Sequence, residues 1–239
     1  MTTQASTDVR IFRGDDRGST ELDWLDSRHS FAFGRSGDPS RRRFSALRVL
    51  NDDVVAPSGG FAEHGHRDME IITLVLDGAL EHRDSAGNHE VLGPGDVQVM
   101  TAGSGILHSE HNASSTEPAH FLQIWITPDR KDHEPRHAML PASERPAQGW
   151  SVIASGGRGS GGLPIHQDAT VTHGRFENGD QISVAVPDGR RGYLHLATGS
   201  ASWDSQLLEA GDALELESGA AVTLTASEAT QVVFFELPG

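Results

Sequence analysis

Thirteen histidines and no cysteine leave imidazole and carboxylate as the strong metal ligands open to this 239-residue chain. Two short segments concentrate them. In His64-Gly65-His66 the rings stand two residues apart, and side chains two apart on an extended strand leave the same face. His108-Ser109-Glu110 repeats that spacing with one imidazole and one carboxylate. If the two segments lie on facing strands of one barrel, three nitrogens and one oxygen meet inside it. That donor set suits Fe(II), and also Zn, Mn, Ni, Co or Cu, at a mononuclear site, while the lack of sulfur speaks against a closed structural zinc site. Four protein ligands on an octahedral ion leave two positions for water or substrate, which is what a catalytic site keeps open.

The remaining histidines read as plainer. His111 follows Glu110 directly and so points the other way in a strand, toward the surface or the outer neighbours of the site. His82 and His89 flank a hairpin tip and are expected to be exposed or structural. His120 opens an apolar strand, with solvent as the simplest surroundings and the barrel mouth as the alternative. For His133, His137, His166, His173 and His195 solvent is expected. Trp24 and Trp125 read as packing residues, and Phe61, Met69 and Met100 as core.

Positioning these groups requires strands, and strand signals dominate. Short runs rich in β-branched and aromatic residues recur at 44–50, 70–76, 97–100, 121–126, 181–186, 192–197, 213–216, 221–225 and 231–236, each bounded by Gly, Pro, Asn or Asp. Asp84-Ser85-Ala86-Gly87-Asn88 has the chemistry of a hairpin tip. Regular short strands with turn residues predict an all-β sandwich or barrel. A weak repeat sharpens this. Leu92-Gly93-Pro94-Gly95-Asp96-Val97 and Leu208-Glu209-Ala210-Gly211-Asp212-Ala213 share a Gly-Asp turn feeding a strand, and each follows an apolar strand closing on glycine, at Gly78 and Gly199. Two copies of one barrel are implied. The reading places a metal-binding barrel at 1–135, a Gly- and Pro-rich linker at 136–162, and a second barrel at 163–239. Counted from Gly211, the positions matching His108 and Glu110 are Leu224 and Ala226, which bind no metal.

Composition excludes several classes. With 36% hydrophobic and 22% charged residues the chain reads as an ordinary globular protein. A formal net charge of −15 argues against direct nucleic-acid binding, which needs Lys and Arg at the phosphates. Lys131 is the single lysine against many arginines, a bias that fits either GC-rich coding or a salt-adapted source. Arg41-Arg42-Arg43 follows Gly37-Asp38-Pro39-Ser40 and reads as a solvated loop. No run is apolar enough to span a membrane, and the first residues carry no secretory pattern, so a cytoplasmic protein is expected, plausibly monomeric.

The segments Arg48-Val49-Leu50-Asn51-Asp52-Asp53, His66-Arg67-Asp68-Met69-Glu70-Ile71-Ile72-Thr73, His82-Arg83-Asp84-Ser85 and the run from Val97 through Gly103 to Glu110 resemble the pirin family. The spacing of Gly59, His64, His66, Glu70 and Gly78, then of Gly95, His108 and Asn112, is similar to the two motifs of the wider cupin superfamily. The resemblance is dense from about Phe31 to Pro128 and faint beyond. It implies two tandem jelly-roll-type cupin barrels, a bicupin, with the metal held by His64, His66, His108 and Glu110. Most other cupins use the first-motif glutamate, here Glu70, whose distance along the chain keeps the parity of His64 and His66; it is the alternative ligand. The resemblance further implies an Fe(II)-dependent dioxygenase cleaving a flavonol such as quercetin with O2, with Glu110 as base. The alternative it implies is a redox-responsive regulator that binds a protein partner.

Overall fold

A computed structural model describes residues 8–239, in which two short 3-10 turns, Gly14–Asp16 and Ala142–Glu144, are the only helical elements among the described residues. Everything else that is regular is strand. The first part of the chain carries β1 (Val9–Phe12), β2 (Gly18–Leu22), β3 (Leu25–His29), β4 (Leu47–Val55), β5 (Gly60–His66) and β6 (Glu70–Asp77). Next come β7 (Leu80–Asp84), β8 (His89–Leu92), β9 (Val97–Thr101), β10 (Ile106–Asn112), β11 (Ala119–Ile126) and β12 (Arg136–Leu140). Then follow β13 (Gly149–Ser155), β14 (Leu163–Pro164), β15 (Thr170–Phe176), β16 (Gln181–Ala185) and β17 (Arg190–Thr198). The last are β18 (Ser200–Trp203), β19 (Gln206–Glu209), β20 (Ala213–Leu216), β21 (Ala221–Ala226) and β22 (Thr230–Pro238). The run expected at 44–50 starts late, because Ser45 takes φ 51° within a tight bridge between Phe44 and Leu47.

The chain forms two units. One comprises 17–145 and 153–168. Its larger sheet has the order β12-β9-β6-β11-β4-β3-β2 and its smaller sheet β5-β10-β7-β8. The other comprises 146–152, 169–239 and the described residues through Asp16, with sheets β1-β20-β17-β22-β15-β13 and β16-β21-β18-β19. This differs from the division expected from sequence. The stretch 136–162 holds β12 and β13, and β12 pairs with β9 from Arg136↔Thr101 to Leu140↔Val97. Pro141, Pro146 and the glycines from Gly156 to Gly162 lie outside these strands, while Gly149, Ser151 and Ser155 belong to β13 itself. Strand β1 also belongs to the C-terminal barrel, where Val9 pairs with Leu216.

The repeat read in the sequence has a structural counterpart. Gly95 N–H donates to the Val75 carbonyl at 2.8 Å, and Gly211 N–H donates to the Leu196 carbonyl at 2.8 Å. The carboxylates of Asp96 and Asp212 each accept from the backbone N–H three residues earlier, at Gly93 and Glu209. Gly95 and Gly211 sit at φ 83° and 93°, a region where a Cβ is strained. No helix among the described residues is long and apolar enough to cross a membrane.

Candidate metal centre

The two ligand-type segments lie on paired neighbouring strands of one sheet. β10 pairs antiparallel with β5, with His108 opposite His64 and Ile106 opposite His66. Between His64 and Phe61 the register shifts, so that Glu110 faces Phe61. Such a bulge adds one residue to a strand and re-aims the side chains beside it. Alternation on β10 buries His108, Glu110 and Asn112 and leaves Leu107, Ser109 and His111 less covered. The result gathers three imidazoles, with ring centroids 4.5 Å apart for His64–His108, 4.7 Å for His64–His66 and 4.9 Å for His66–His108.

Hydrogen bonds set which nitrogens face inward. His64 Nδ1–H donates to the Ala62 carbonyl at 2.8 Å, so the neutral ring presents Nε2 as a bare lone pair. His108 Nδ1 faces Nδ1 of His82 at 3.5 Å, and His82 Nε2–H faces Asp84 Oδ2 at 3.4 Å. Gln98 Nε2–H donates to the same His82 Nδ1 at 3.1 Å. A consistent set of tautomers follows, in which His108 donates through Nδ1 and its Nε2 is also bare. The two Nε2 atoms stand 3.1 Å apart. Two nitrogens each about 2.1 Å from one ion and roughly at right angles are about 3 Å apart, so the donors fit a shared cation. Burial first, and the neighbouring histidines second, hold His108 down to about 3, and burial with His64 holds His66 down to about 4. Both are therefore neutral at pH 7, the form that ligates a metal.

Glu110 is almost wholly buried, and burial raises its pKa against the opposing hydrogen bonds. Its Oε2 accepts from Gln123 Nε2 at 2.8 Å and its Oε1 from Thr73 Oγ1 at 3.4 Å. A carboxylate oxygen of Glu110 lies within 4.8 Å of ring nitrogens of His108 and His82, and nitrogens of His64, His66 and His108 lie within the same distance of one another. The two groupings share His108. The cluster thus has the composition of a mononuclear metal site.

Glu70 is placed elsewhere. It is fully buried, accepts from Thr101 Oγ1 at 2.8 Å, and pairs with His166 Nδ1 at 3.2 Å. His166 stacks on His133 at 3.7 Å, and His133 bonds Asp129 at 2.7 Å. The parity argument fails for a local reason. A turn with Asp68 at φ 53° separates β5 from β6 and resets the alternation, so that Ile71 and Val75 join the interior clusters while Glu70 faces the opposite side of the sheet.

Other expectations are corrected as well. His82 is fully buried and stands behind His108; the signal was its inward parity with Leu80 on β7, opposite Glu110. His133, His173 and His195 are buried, and His137 and His166 are half-buried, the former stacked on His82 at 5.0 Å. His120 is half-buried and bonds Asp52 at 2.6 Å. His89 is exposed, as its place at the hairpin tip leads one to expect, and so are Arg42 and Arg43.

Beside the histidines lies a cavity of about 660 Å³, whose lining comes entirely from residues between Thr20 and Trp125. Trp24, Phe61 and Trp125 form part of its wall, so they do more than fill the core. The lining includes His64, His66, Glu110 and Gln123, and also His29, for which the sequence offered no signal.

An all-β chain with two jelly-roll units, one of them carrying the histidine cluster that Glu110 adjoins through His108, defines a bicupin. Residues 12–126 match the Pirin family model, and 152–237 match a model described as the quercetinase C-terminal cupin domain. The chain is 37% identical over 230 residues to the protein of Escherichia coli K12 named quercetin 2,3-dioxygenase, covering 96% of this chain and 99% of that one. It is 38% identical to a pirin-like protein of Caulobacter vibrioides, covering 93% and 96%. Among solved structures, the bacterial pirin YhhW of Escherichia coli in complex with nickel(II) superposes with a TM-score of 0.88 at 36% identity, covering 96% of this chain and 99% of that one. The chain belongs to the pirin family.

Proposed function

We propose that His64, His66, His108 and Glu110 hold one Fe(II) ion and that the protein is a dioxygenase that cleaves a flavonol such as quercetin. The observation that carries this reading is the meeting of the bare-nitrogen cluster with an aromatic-walled cavity of about 660 Å³, a size suited to a small planar ligand. The names of the full-length relatives support the same substrate class. When bound, the metal supplies a Lewis-acid centre that lowers the pKa of a hydroxyl beside it and takes part in the reaction with dioxygen. The reaction class opens the heterocyclic ring of the flavonol, incorporates O2 and releases carbon monoxide.

The chain's own residues bind, orient and move a proton. His82 and Asp84 fix the ring of His108, and Ala62 fixes that of His64. Gln123 holds Glu110 through Oε2, leaving the more weakly bonded Oε1 as the atom that accepts the flavonol hydroxyl proton. Trp24, Phe61 and Trp125 exclude water from the ring. Apoprotein loaded with Fe(II) under nitrogen, mixed with quercetin and then exposed to air, should bleach the flavonol's visible absorbance and release carbon monoxide. No turnover with Fe, Cu, Ni, Co or Mn would overturn the dioxygenase reading.

A further inference from the structure

The cavity carries a second set of polar groups that the metal centre does not use. Ser27 and His29 of β3 lie opposite Asp53 and Asn51 of β4, and all four line the cavity while being almost completely buried. His29 Nε2 bonds Ser27 Oγ at 2.9 Å, and the Ser27 hydroxyl also bonds the Asp53 carboxyl. With the Asp53 carboxyl ionised, both contacts are satisfied when His29 Nε2–H donates to Ser27 and Ser27 O–H donates to Asp53. Three acceptors are then left over, His29 Nδ1, Asn51 Oδ1 and Asp53 Oδ1, together with one donor, the indole Nε1–H of Trp125. None of the four has a hydrogen-bond partner. Buried polar atoms are almost always paired in folded proteins, so four orphans on residues that line one cavity call for a reason.

Ring contacts connect these atoms to the histidine cluster. His66 meets Trp125 at 4.8 Å, Trp125 meets Phe33 at 5.6 Å, and Phe33 meets His29 at 5.3 Å. A flat aromatic ligand beside this run would keep ring contact from the cluster to β3. The lining holds no lysine or arginine, so away from the metal centre no side chain there compensates a ligand anion. Three acceptors require O–H or N–H donors, which ethers and ketones lack, and the single indole donor requires an oxygen lone pair. Ring hydroxyls supply both. We propose that His29, Asn51, Asp53 and Trp125 form a recognition subsite for the hydroxyl groups of an uncharged, polyhydroxylated aromatic molecule. The proposal rests on the flavonol reading for the identity of that molecule, and on the four unpaired atoms for the subsite itself.

Two flavonols separate the subsite from the metal. Quercetin and 3-hydroxyflavone share the 3-hydroxy-4-keto pair that can meet a metal, and they differ only in the other ring hydroxyls. Affinities for nickel-loaded protein are measured without oxygen for the wild type, Asn51→Leu and His29→Phe. The wild type should prefer quercetin by about tenfold or more, and each variant should bring that ratio toward unity, because a site built to pair hydroxyls discriminates against analogues lacking them. A ratio kept in both variants, as a merely structural loss would leave it, overturns the subsite, as does a wild type with no preference. Should the wild type bind neither flavonol while retaining nickel, the flavonol reading fails, and resorcinol, which has ring hydroxyls but no chelating pair, decides the subsite. In zinc-loaded protein, a saturable shift of the Trp125 indole N–H resonance that Asn51→Leu abolishes supports it. An unmoved Trp125 resonance overturns it.

Discussion

The two barrels are built on one plan and filled in opposite ways. In the C-terminal barrel one continuous apolar cluster among the described residues runs from Phe176 and Ile182 through Leu194, Leu214 and Leu224 to Phe234. In the N-terminal barrel, among the described residues, one apolar cluster gathers around Leu80, Leu92 and Phe121 and a separate one around Ile71, Met100 and Ile106. Polar residues occupy the space that a continuous core would fill. Strand register makes the correspondence residue by residue. His108 pairs with His64 and Ile106 with His66, as Leu224 pairs with Ile182 and Val222 with Val184. His82 lies opposite Glu110, as Ala201 lies opposite Ala226. Gln123, Thr73 and Gln98 form one row across β11, β6 and β9, and Phe234, Leu194 and Leu214 form the matching row across β22, β17 and β20. The lesson is that the scaffold does not require the polar interior. One copy is stable with leucine, isoleucine and phenylalanine there, so the cost of burying imidazole and carboxylate in the other is carried for what those groups hold.

That contrast can be broken deliberately. His108→Ala removes the residue shared by both ligand groupings; metal content measured by elemental analysis should fall below about a tenth of the wild-type value, and turnover should vanish with it. Retention of metal by this variant would mean that the histidine cluster is not the site. In the apolar barrel the matching change, Leu224→Ala, should leave metal content alone and cost about 2–5 kcal/mol in chemical denaturation, because it opens a cavity in a fully buried position. His82→Ala leaves the ligands in place but frees the ring of His108; a chelator competition should show metal affinity lower by about 10–100-fold. Thr73→Val removes the longer of the two hydrogen bonds to Glu110 together with the 3.3 Å contact to Gln123 Oε1, and a stability change of about 1 kcal/mol is expected, with metal retained. If His82→Ala and Thr73→Val proved indistinguishable in the chelator assay, the polar row would be acting as filler rather than as support for the site.

Residue type and local spacing decided a good deal on their own. The His-x-His and His-x-Glu pairs, the run of short β-branched segments and the repeated Gly-Asp turn are all local features, and each falls on a strand or turn of the structure. Strand alternation is also local, which is why it ordered His108, Ser109 and Glu110 correctly within β10. Where a turn intervenes, parity carries no memory, so counting from His66 to Glu70 misled across the left-handed Asp68. Composition likewise could not separate a linker from loops around β12 and β13, since strand pairing with β9 is a long-range choice. Tertiary structure alone brought His108 opposite His64, buried His82 behind them, turned Glu70 toward His166, and lined a cavity with His29, Asn51 and Asp53. The reason is common to all four: which residues meet across strands depends on register and sheet order, and these are set by the packing of the whole barrel rather than by any short segment.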